Sequence, residues 1–378
     1  MSTNDQAPAE RVRLVMLFGG RSAEHEVSCV SAASALRALD PARYDVVPIA
    51  ITPDGRWVRA EEAMAALAEV GPDVLPAALP VAATAWARSL KVAEGPAVDP
   101  LAVLATAGAV PTVVLPLLHG PLGEDGTVQG LLELAGVAYV GSGVLGSALC
   151  MDKAKSKEVL AHHGIAQVRH LTLHWDQVED RMVDRVGTAL GWPVFVKPAN
   201  LGSSVGISRV EGPAALPAAV ALALAYDEWL VIEEAVDGRE IECGVLGNAN
   251  LETSVPGEVV PRAAFYDFDD KYSGTGAELV VPAVLPPGVA DEVRRLAVAA
   301  ATALRVEGMA RVDFFFEEDG RGLLANEVNT IPGFTPRSMY PRLWAASGVP
   351  YPELLDRLIA LAQERHTARA GRVGRPRV

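Results

Sequence analysis

Arg311-Val-Asp-Phe-Phe-Phe316 and, after a short interval, Asn326-Glu-Val-Asn-Thr-Ile-Pro-Gly-Phe-Thr-Pro336 are the two segments that decide how this chain folds. Two apolar runs, 312–316 and 322–325, are separated by Glu-Glu-Asp-Gly-Arg-Gly, which predicts a β-hairpin with a turn rich in Gly and Asp. Strand alternation puts Arg311 and Asp313 on one face, and Glu327 and Asn329 repeat the spacing. Adjacent strands lie about 4.8 Å apart, so Asp313, Glu327 and Asn329 can converge on one point. Three hard oxygen donors, two of them charged, suit Mg²⁺, which takes few carboxylates and completes its octahedron with phosphate and water. Arg311 beside them offers a planar fork for an anion. Ordinary salt bridges on a solvated hairpin rim are the competing explanation. The stiff Thr-Ile-Pro-Gly-Phe-Thr-Pro sequel, with its exposed backbone N–H groups, favours a site.

Outward from the hairpin, 378 residues predict two or three domains. Half the chain is hydrophobic and 21% charged, enough for a sizeable core, and the formal charge of −14 argues against a nucleic-acid partner. Cys29, Cys150 and Cys243 are odd in number and widely spaced, which fits a reducing cytoplasm and neither a disulfide frame nor a zinc site. Residues 1–10 are polar and do not read as a signal peptide. Residues 101–118 lack charge, but Pro111 and Pro116 divide them, so they read as a helix and a buried strand and not as a membrane span.

The first third opens as β-α-β. An apolar run, 12–19, ends in Gly19-Gly20, a helical stretch runs to about Leu39, and Tyr44–Ile51 is a second strand. Residues 60–108 are Ala-rich and carry no recognisable chemistry. Thr112–Leu118 is a further buried strand ending at His119-Gly120. Groups at these strand ends fall where open α/β sheets bind ligands. Gly141-Ser-Gly143-Val-Leu-Gly146 matches the dinucleotide fingerprint, but the acid expected about 20 residues later is missing, so a tight turn into the next helix is the better reading.

A second unit begins at about 147. In Val194-Phe-Val-Lys197-Pro-Ala-Asn-Leu-Gly202-Ser-Ser-Val-Gly206 a strand ends in lysine and runs into a glycine-serine loop, before a strand resumes at Ile207. Small residues let backbone N–H groups and hydroxyls close over phosphates, and lysine adds a point charge. Glu228–Val236 is a strand ending in the acids Glu233 and Glu234, able to meet an adenine amino group or ribose hydroxyls. Glu240–Leu246 alternates like a half-exposed antiparallel strand. Phe265-Tyr-Asp-Phe-Asp-Asp-Lys271-Tyr272 has the makings of a lid. Helices are expected at 289–305, 338–346 and 351–364, and the last residues, with five arginines from Arg365 on, as a disordered tail.

From residue 12 to 365 these motifs resemble the D-alanine–D-alanine ligases of the ATP-grasp superfamily. The resemblance rests on Gly19-Gly-Arg-Ser-Ala-Glu24-His-Glu-Val-Ser, Leu118-His-Gly, Gly123-Glu-Asp-Gly-Thr-Val-Gln-Gly, Met151-Asp-Lys, the 196–206 segment, Tyr266-Asp-Phe-Asp-Asp-Lys-Tyr and Asn326-Glu-Val-Asn-Thr-Ile-Pro-Gly. It implies an α/β fold, α+β in the C-terminal half: an N-terminal Rossmann-like parallel-sheet domain (12–146), then a two-part ATP-grasp fold (147–235 and 236–365), then the tail 366–378. It implies ATP held by Lys153, Lys197, Lys271, the loop residues Gly202, Ser203, Ser204 and Val205, and Glu233, Glu234, Val236 and Glu240. Two Mg²⁺ ions, replaceable by Mn²⁺, would be bound by Asp313, Glu327 and Asn329. The resemblance assigns Glu24 to the ammonium of a first D-alanine, with Val27 and His119 in the same substrate site. Ser338 and the Met339 backbone would hold the carboxylate of a second. Arg311 and the Gly333 N–H would steady an oxyanion, and Ser203 and Tyr272 would link lid, loop and Glu24. Some relatives have lysine where this chain has Glu234.

The implied activity is ATP-dependent joining of two D-alanines in peptidoglycan precursor synthesis, by a cytoplasmic homodimer without membrane insertion. A ligase taking D-lactate or D-serine is the near alternative, and Tyr272 favours the dipeptide. A dinucleotide-dependent oxidoreductase and a nucleotide-binding regulator without turnover are the distant ones.

Overall fold

The computed structural model describes residues 11–61, 95–105, 110–179, 181–202, 204–261 and 277–373. Three sheets follow one another along the chain. In the first, β1 (Val12–Gly19), β2 (Tyr44–Ile51), β4 (Thr112–Pro116) and β5 (Ala138–Tyr139) are parallel, and β3 (Trp57–Arg59) adds an antiparallel edge, in the order β3-β2-β1-β4-β5. The unbroken apolar run of β1 is explained by its place at the centre, where Leu14 to Phe18 are fully buried from both faces. β3, just ahead of the Ala-rich region, was not foreseen, and that region's composition concealed a short helix at Pro100–Leu104.

The second sheet is antiparallel, ordered β6 (His170–His174), β9 (Trp229–Glu234), β7 (Val194–Pro198), β8 (Ser208–Val210). The third holds β13 (Ala277–Val280), β12 (Gly257–Pro261), β10 (Arg239–Gly247), β14 (Gly308–Glu317) and β15 (Gly322–Asn329) in that order, with β11 (Glu252–Thr253) on β10. The hairpin predicted at 312–316 and 322–325 is β14–β15, each strand longer than its apolar run. Contrary to the half-exposed expectation for 240–246, β10 is a central strand. Its second half is buried beneath the helix Met339–Ala346, where a Cβ on Gly244 would lie 2.8 Å from the Trp344 indole nitrogen and Tyr340 donates to the Val245 carbonyl at 2.9 Å.

The C-terminal helix also corrects the sequence reading. It runs Tyr351–Val373, so residues 366–373 are helical where a disordered tail was expected. Leu354, Leu355, Leu358 and Ile359 of this helix join Leu14, Met16 and Val113 of the first sheet in one core. Each such side chain contributes roughly 1.5–3 kcal/mol on burial, so the end of the chain locks onto its beginning. Arg365, 6% exposed, donates to the Tyr139 carbonyl at 2.8 Å and to the Gly141 carbonyl, with its guanidinium 4.3 Å over the Tyr139 ring. Replacing Arg365 by methionine is expected to destabilise the chain by about 2–3 kcal/mol, because two carbonyls lose a charged donor. Urea unfolding that shows a loss under about 0.5 kcal/mol would put the helix's anchorage in its leucines alone.

Gly141–Gly146 has a packing role. Gly308 has its Cβ position 3.0 Å from the Gly141 nitrogen, and a Cβ on Gly146 would run into the Arg305 carbonyl. The glycines let this turn abut the start of β14. Among the described residues no helix is long and apolar enough to cross a membrane. The three cysteines are buried free thiols, Cys29 and Cys243 both pushed up to about 12, chiefly by burial.

Candidate active site

Ends of all three sheets contribute to one cleft. β1 stops at Gly19 and Gly20, both at positive φ, and the helix His25–Ala38 begins with Glu24 at its N-cap position. The turn is tied by Ser28, whose hydroxyl accepts from the Gly19 N–H at 2.7 Å and donates to the Leu117 carbonyl. A Cβ on Gly120 would lie 2.9 Å from Glu24 Oε2, and one on Gly202 would lie 3.3 Å from it. Two glycines far apart in sequence therefore make room for one carboxylate, between the β4 end and the glycine-serine loop. Val27, one residue short of a turn further along, is half-buried.

His119 is turned inward. It is 4% exposed, its Nε2 is 3.2 Å from the Ser31 hydroxyl and its Nδ1 is 3.1 Å from the Ile331 carbonyl. Burial alone would lower its pKa, but the Glu124 carboxylate 3.6 Å away outweighs that and raises it. His119 thus braces the Ile331 segment and backs the cleft wall.

In the second unit Lys153 opens the helix Lys153–His162. Its ammonium donates to the Leu201 carbonyl at 2.6 Å and lies 3.6 Å from Glu327, joining the glycine-serine loop to the hairpin. In that loop Val205 N–H bonds the Gly202 carbonyl at 3.2 Å and Ile207 N–H bonds the Ser204 carbonyl at 3.3 Å. Ser204 is left at φ 60, a conformation that costs a non-glycine residue about 1–2 kcal/mol. Lys197, at the end of β7, pairs with Glu233 at 2.6 Å. Burial would raise Glu233, but Lys157 and Lys197 hold it well below the usual carboxylate range.

Glu234 points elsewhere. Its carboxylate accepts from the Arg169 backbone N–H at 2.8 Å and from the Arg169 and Arg321 guanidinium groups. Arg321 lies in the β14–β15 turn, so this side chain ties the second sheet to the third and is committed to that bridge. Glu240 lies at the start of β10, opposite Phe315 and Val259.

The hairpin brings its predicted residues together. Arg311 faces Asn329 and Asp313 faces Glu327 across the strands, and a bulge after Asp313 sets the following pair to Phe314 and Ala325. Arg311 grips Asp313 in two parallel bonds, 2.8 Å from Nε and 2.7 Å from Nη2, and its Nε is 3.0 Å from Glu242. Burial would lower its pKa, but the Asp313 and Glu242 charges raise it well above the ordinary value. The Asn329 amide donates to Asp313 Oδ2 at 2.9 Å. Two carboxylates and an amide, with no cluster of three or more His, Cys, Asp or Glu among the described residues, make a poor closed cage. They suit a Mg²⁺ that keeps phosphate oxygens and water as its other ligands.

Past β15, Gly333 has a Cβ position 3.2 Å from the Ser338 hydroxyl. Ser338 stands at the N-cap position of the helix Met339–Ala346, where its hydroxyl shares a 2.9 Å hydrogen bond with the Thr335 hydroxyl, while the Met339 side chain is buried. Val236 stands two residues past the end of β9. Ser203, Lys271 and Tyr272, with the whole 265–272 stretch expected to act as a lid, lie outside the described residues.

The sequence reading passed over Lys157 and Glu242. Lys157 stands four residues after Lys153, the spacing that puts two residues on one helix face. Glu242 follows Glu240 by two, the spacing that keeps it on the same strand face. Each could have been found by that periodicity.

A family model described as D-ala D-ala ligase N-terminus matches residues 13–142, and one described as D-ala D-ala ligase C-terminus matches 159–360. The D-alanine–D-alanine ligase of Geobacillus kaustophilus (strain HTA426) is 45% identical over 361 residues, covering 94% of this chain and 96% of that protein. That of Mycolicibacterium smegmatis (strain ATCC 700084) is 47% identical over 386 residues, covering 95% and 98%. Among solved structures, the D-alanine-D-alanine ligase from Coxiella burnetii superposes with a TM-score of 0.81 at 36% identity, covering 97% of each chain. The VanG D-Ala:D-Ser ligase from Enterococcus faecalis gives 0.79 at 31%, covering 93% of this chain and 100% of that one.

Proposed function

This chain belongs to the D-alanine–D-alanine ligase family, and we propose that it joins two D-alanines, with ATP cleaved to ADP and phosphate, to supply a peptidoglycan precursor. The observation that carries the reading is the convergence of Arg311, Asp313, Glu327 and Asn329 with Lys153, opposite Glu24 and the glycine-serine loop.

A carboxylate is a poor electrophile. The first D-alanine carboxylate therefore attacks the γ-phosphorus, ADP leaves, and an acylphosphate forms. The amine of the second D-alanine attacks its carbonyl carbon, the tetrahedral intermediate collapses, phosphate departs and the amine loses a proton. Phosphoryl transfer asks mainly for positioning and charge neutralisation. Lys153, Lys197 and Lys271, with the glycine-serine loop from Gly202 to Val205, hold the phosphates. Glu233 and Glu234 at the end of β9, Val236 just past it, and Glu240 hold adenosine, Glu234 through its backbone because its carboxylate is engaged by two arginines. Asp313, Glu327 and Asn329 would hold Mg²⁺, two ions with Mn²⁺ as substitute, and the metal would supply positive charge beside the phosphate oxygens.

Glu24 takes the ammonium of the first D-alanine, with Val27 and the wall braced by His119 around it. Arg311 and the Gly333 N–H meet the oxyanion. Ser338 and the Met339 N–H, at a helix N-terminus, take the second carboxylate. Ser203 and Tyr272 connect the lid, the loop and Glu24. The enzyme works in the cytoplasm as a homodimer, with the lid excluding water from the acylphosphate.

The test is phosphate release from Mg-ATP with D-alanine, L-alanine, or D-alanine plus D-lactate or D-serine, with products weighed by mass spectrometry. D-alanyl-D-alanine with one phosphate per dipeptide is expected. A D-Ala-D-Ser or ester product would move the acceptor assignment, and phosphate release indifferent to D-alanine would overturn the reaction.

Gly120→Ala tests Glu24 without touching its charge. The new methyl would sit 2.9 Å from Glu24 Oε2 on a backbone at φ +77. The KM for D-alanine is expected to rise on the order of tenfold, the cost of spoiling one charged hydrogen bond, with the KM for ATP unchanged. Equal shifts in both would place Glu24 outside the amino-acid site.

A further inference from the structure

Glu233 is flanked by two lysines, and only one of them faces the cleft. Lys197 reaches Oε2 at 2.6 Å from the end of β7, beside the glycine-serine loop, with 11% of its side chain exposed. Lys157 reaches Oε1 at 2.9 Å from the helix Lys153–His162, with 1% exposed. Among the described residues the Lys157 ammonium has no well-angled hydrogen bond, so it is held by charge. A positive group in that position is costly to bury and contributes nothing to the solvent-facing surface.

We propose that Lys157 is a fixed counter-ion for Glu233, which allows Lys197 to leave that carboxylate and take up the triphosphate when nucleotide binds. The proposal rests on the nucleotide reading of the cleft given above. With Lys197 as the sole partner, its departure would strand a buried carboxylate, so the phosphate would have to compete with Glu233 for one ammonium. With Lys157 behind it, Glu233 stays compensated in both states and keeps an oxygen for a donor on the base or ribose. The two lysines on separate oxygens are the arrangement this exchange requires. The depressed pKa of Glu233 and the lowered pKa of His170, owed first to burial and then to Lys157, agree with a permanent charge at this place. Lys157 touches no substrate and is a positioning residue.

Lys157→Met is the test, measured by calorimetric titration of the full chain with Mg-ATP and by separate KM values for ATP and D-alanine. Nucleotide affinity is expected to fall on the order of tenfold or more, the loss of one charged partner, with the KM for D-alanine within about twofold. In the Glu233→Gln background the same substitution is expected to cost little, because no stranded carboxylate remains; this double variant also serves if Lys157→Met alone folds poorly. Unchanged affinity in Lys157→Met overturns the proposal. So does an equal loss in both backgrounds, or KM values that rise together with a lowered Tm, any of which marks Lys157 as packing only. Because nucleotide binding is read directly, a chain that binds Mg-ATP and makes no dipeptide would refute the reaction and leave this inference standing on its own result.

Discussion

Replacing Arg311 by methionine is expected to lower kcat by about two to three orders of magnitude, the range lost when one oxyanion donor is removed from a comparable site. It should also destabilise the fold. Arg311 is the shared partner of Asp313 and Glu242, at 2.7 Å and 3.0 Å, and both carboxylates are largely buried. Stranding them should cost on the order of 3–5 kcal/mol, seen as a clear fall in Tm. Arg311→Lys separates the two effects. It keeps the charge and loses the bidentate geometry, so most of the stability should return while kcat stays low. A lysine variant with restored kcat would make Arg311 a structural cation, and the oxyanion would then have to be met elsewhere.

The second large effect is expected at Asp313. Asn in its place keeps the shape and removes one of the two charges offered to Mg²⁺. The Mg²⁺ concentration for half-maximal turnover should rise by at least about ten- to a hundredfold, the range lost when only an outer partner of a metal ligand is removed. Stripping divalent ions with a chelator should abolish turnover, and Mn²⁺ should restore it. Calorimetric titration with ATP, with and without Mg²⁺, gives the same answer independently of turnover: the metal should strengthen ATP binding in the wild-type chain and much less in Asp313→Asn. If the two chains respond alike to Mg²⁺, the β14–β15 carboxylates are a salt-bridge network serving Arg311, and the metal site lies elsewhere.

Much of the cleft was legible because its parts are local. The alternation of Arg311 with Asp313 and of Glu327 with Asn329 is a property of two strands joined by a short turn, and the observed register pairs them as that alternation requires. Lys197 and the loop after it were legible for the same reason: a strand followed by small residues can turn only nearby. The end of the chain was not. Its arginines and glycines suggested disorder by composition, yet Arg365 finds the carbonyls of Tyr139 and Gly141 more than two hundred residues earlier in sequence. A guanidinium buried over an aromatic ring leaves no periodic trace.

The sequence by itself determined the β-α-β opening, the β14–β15 hairpin and the identity of the groups at its strand ends, because hydrophobic period and turn chemistry act over a few residues; the short strands β6, β12 and β13 it did not single out. Tertiary structure alone decided that Glu24 fits between Gly120 and Gly202, that Glu234 spends its carboxylate on Arg169 and Arg321, and that Lys157 shares Glu233 with Lys197. Those arrangements depend on which distant charges meet in a medium that excludes water. That is a matter of packing, and one-dimensional spacing does not encode it.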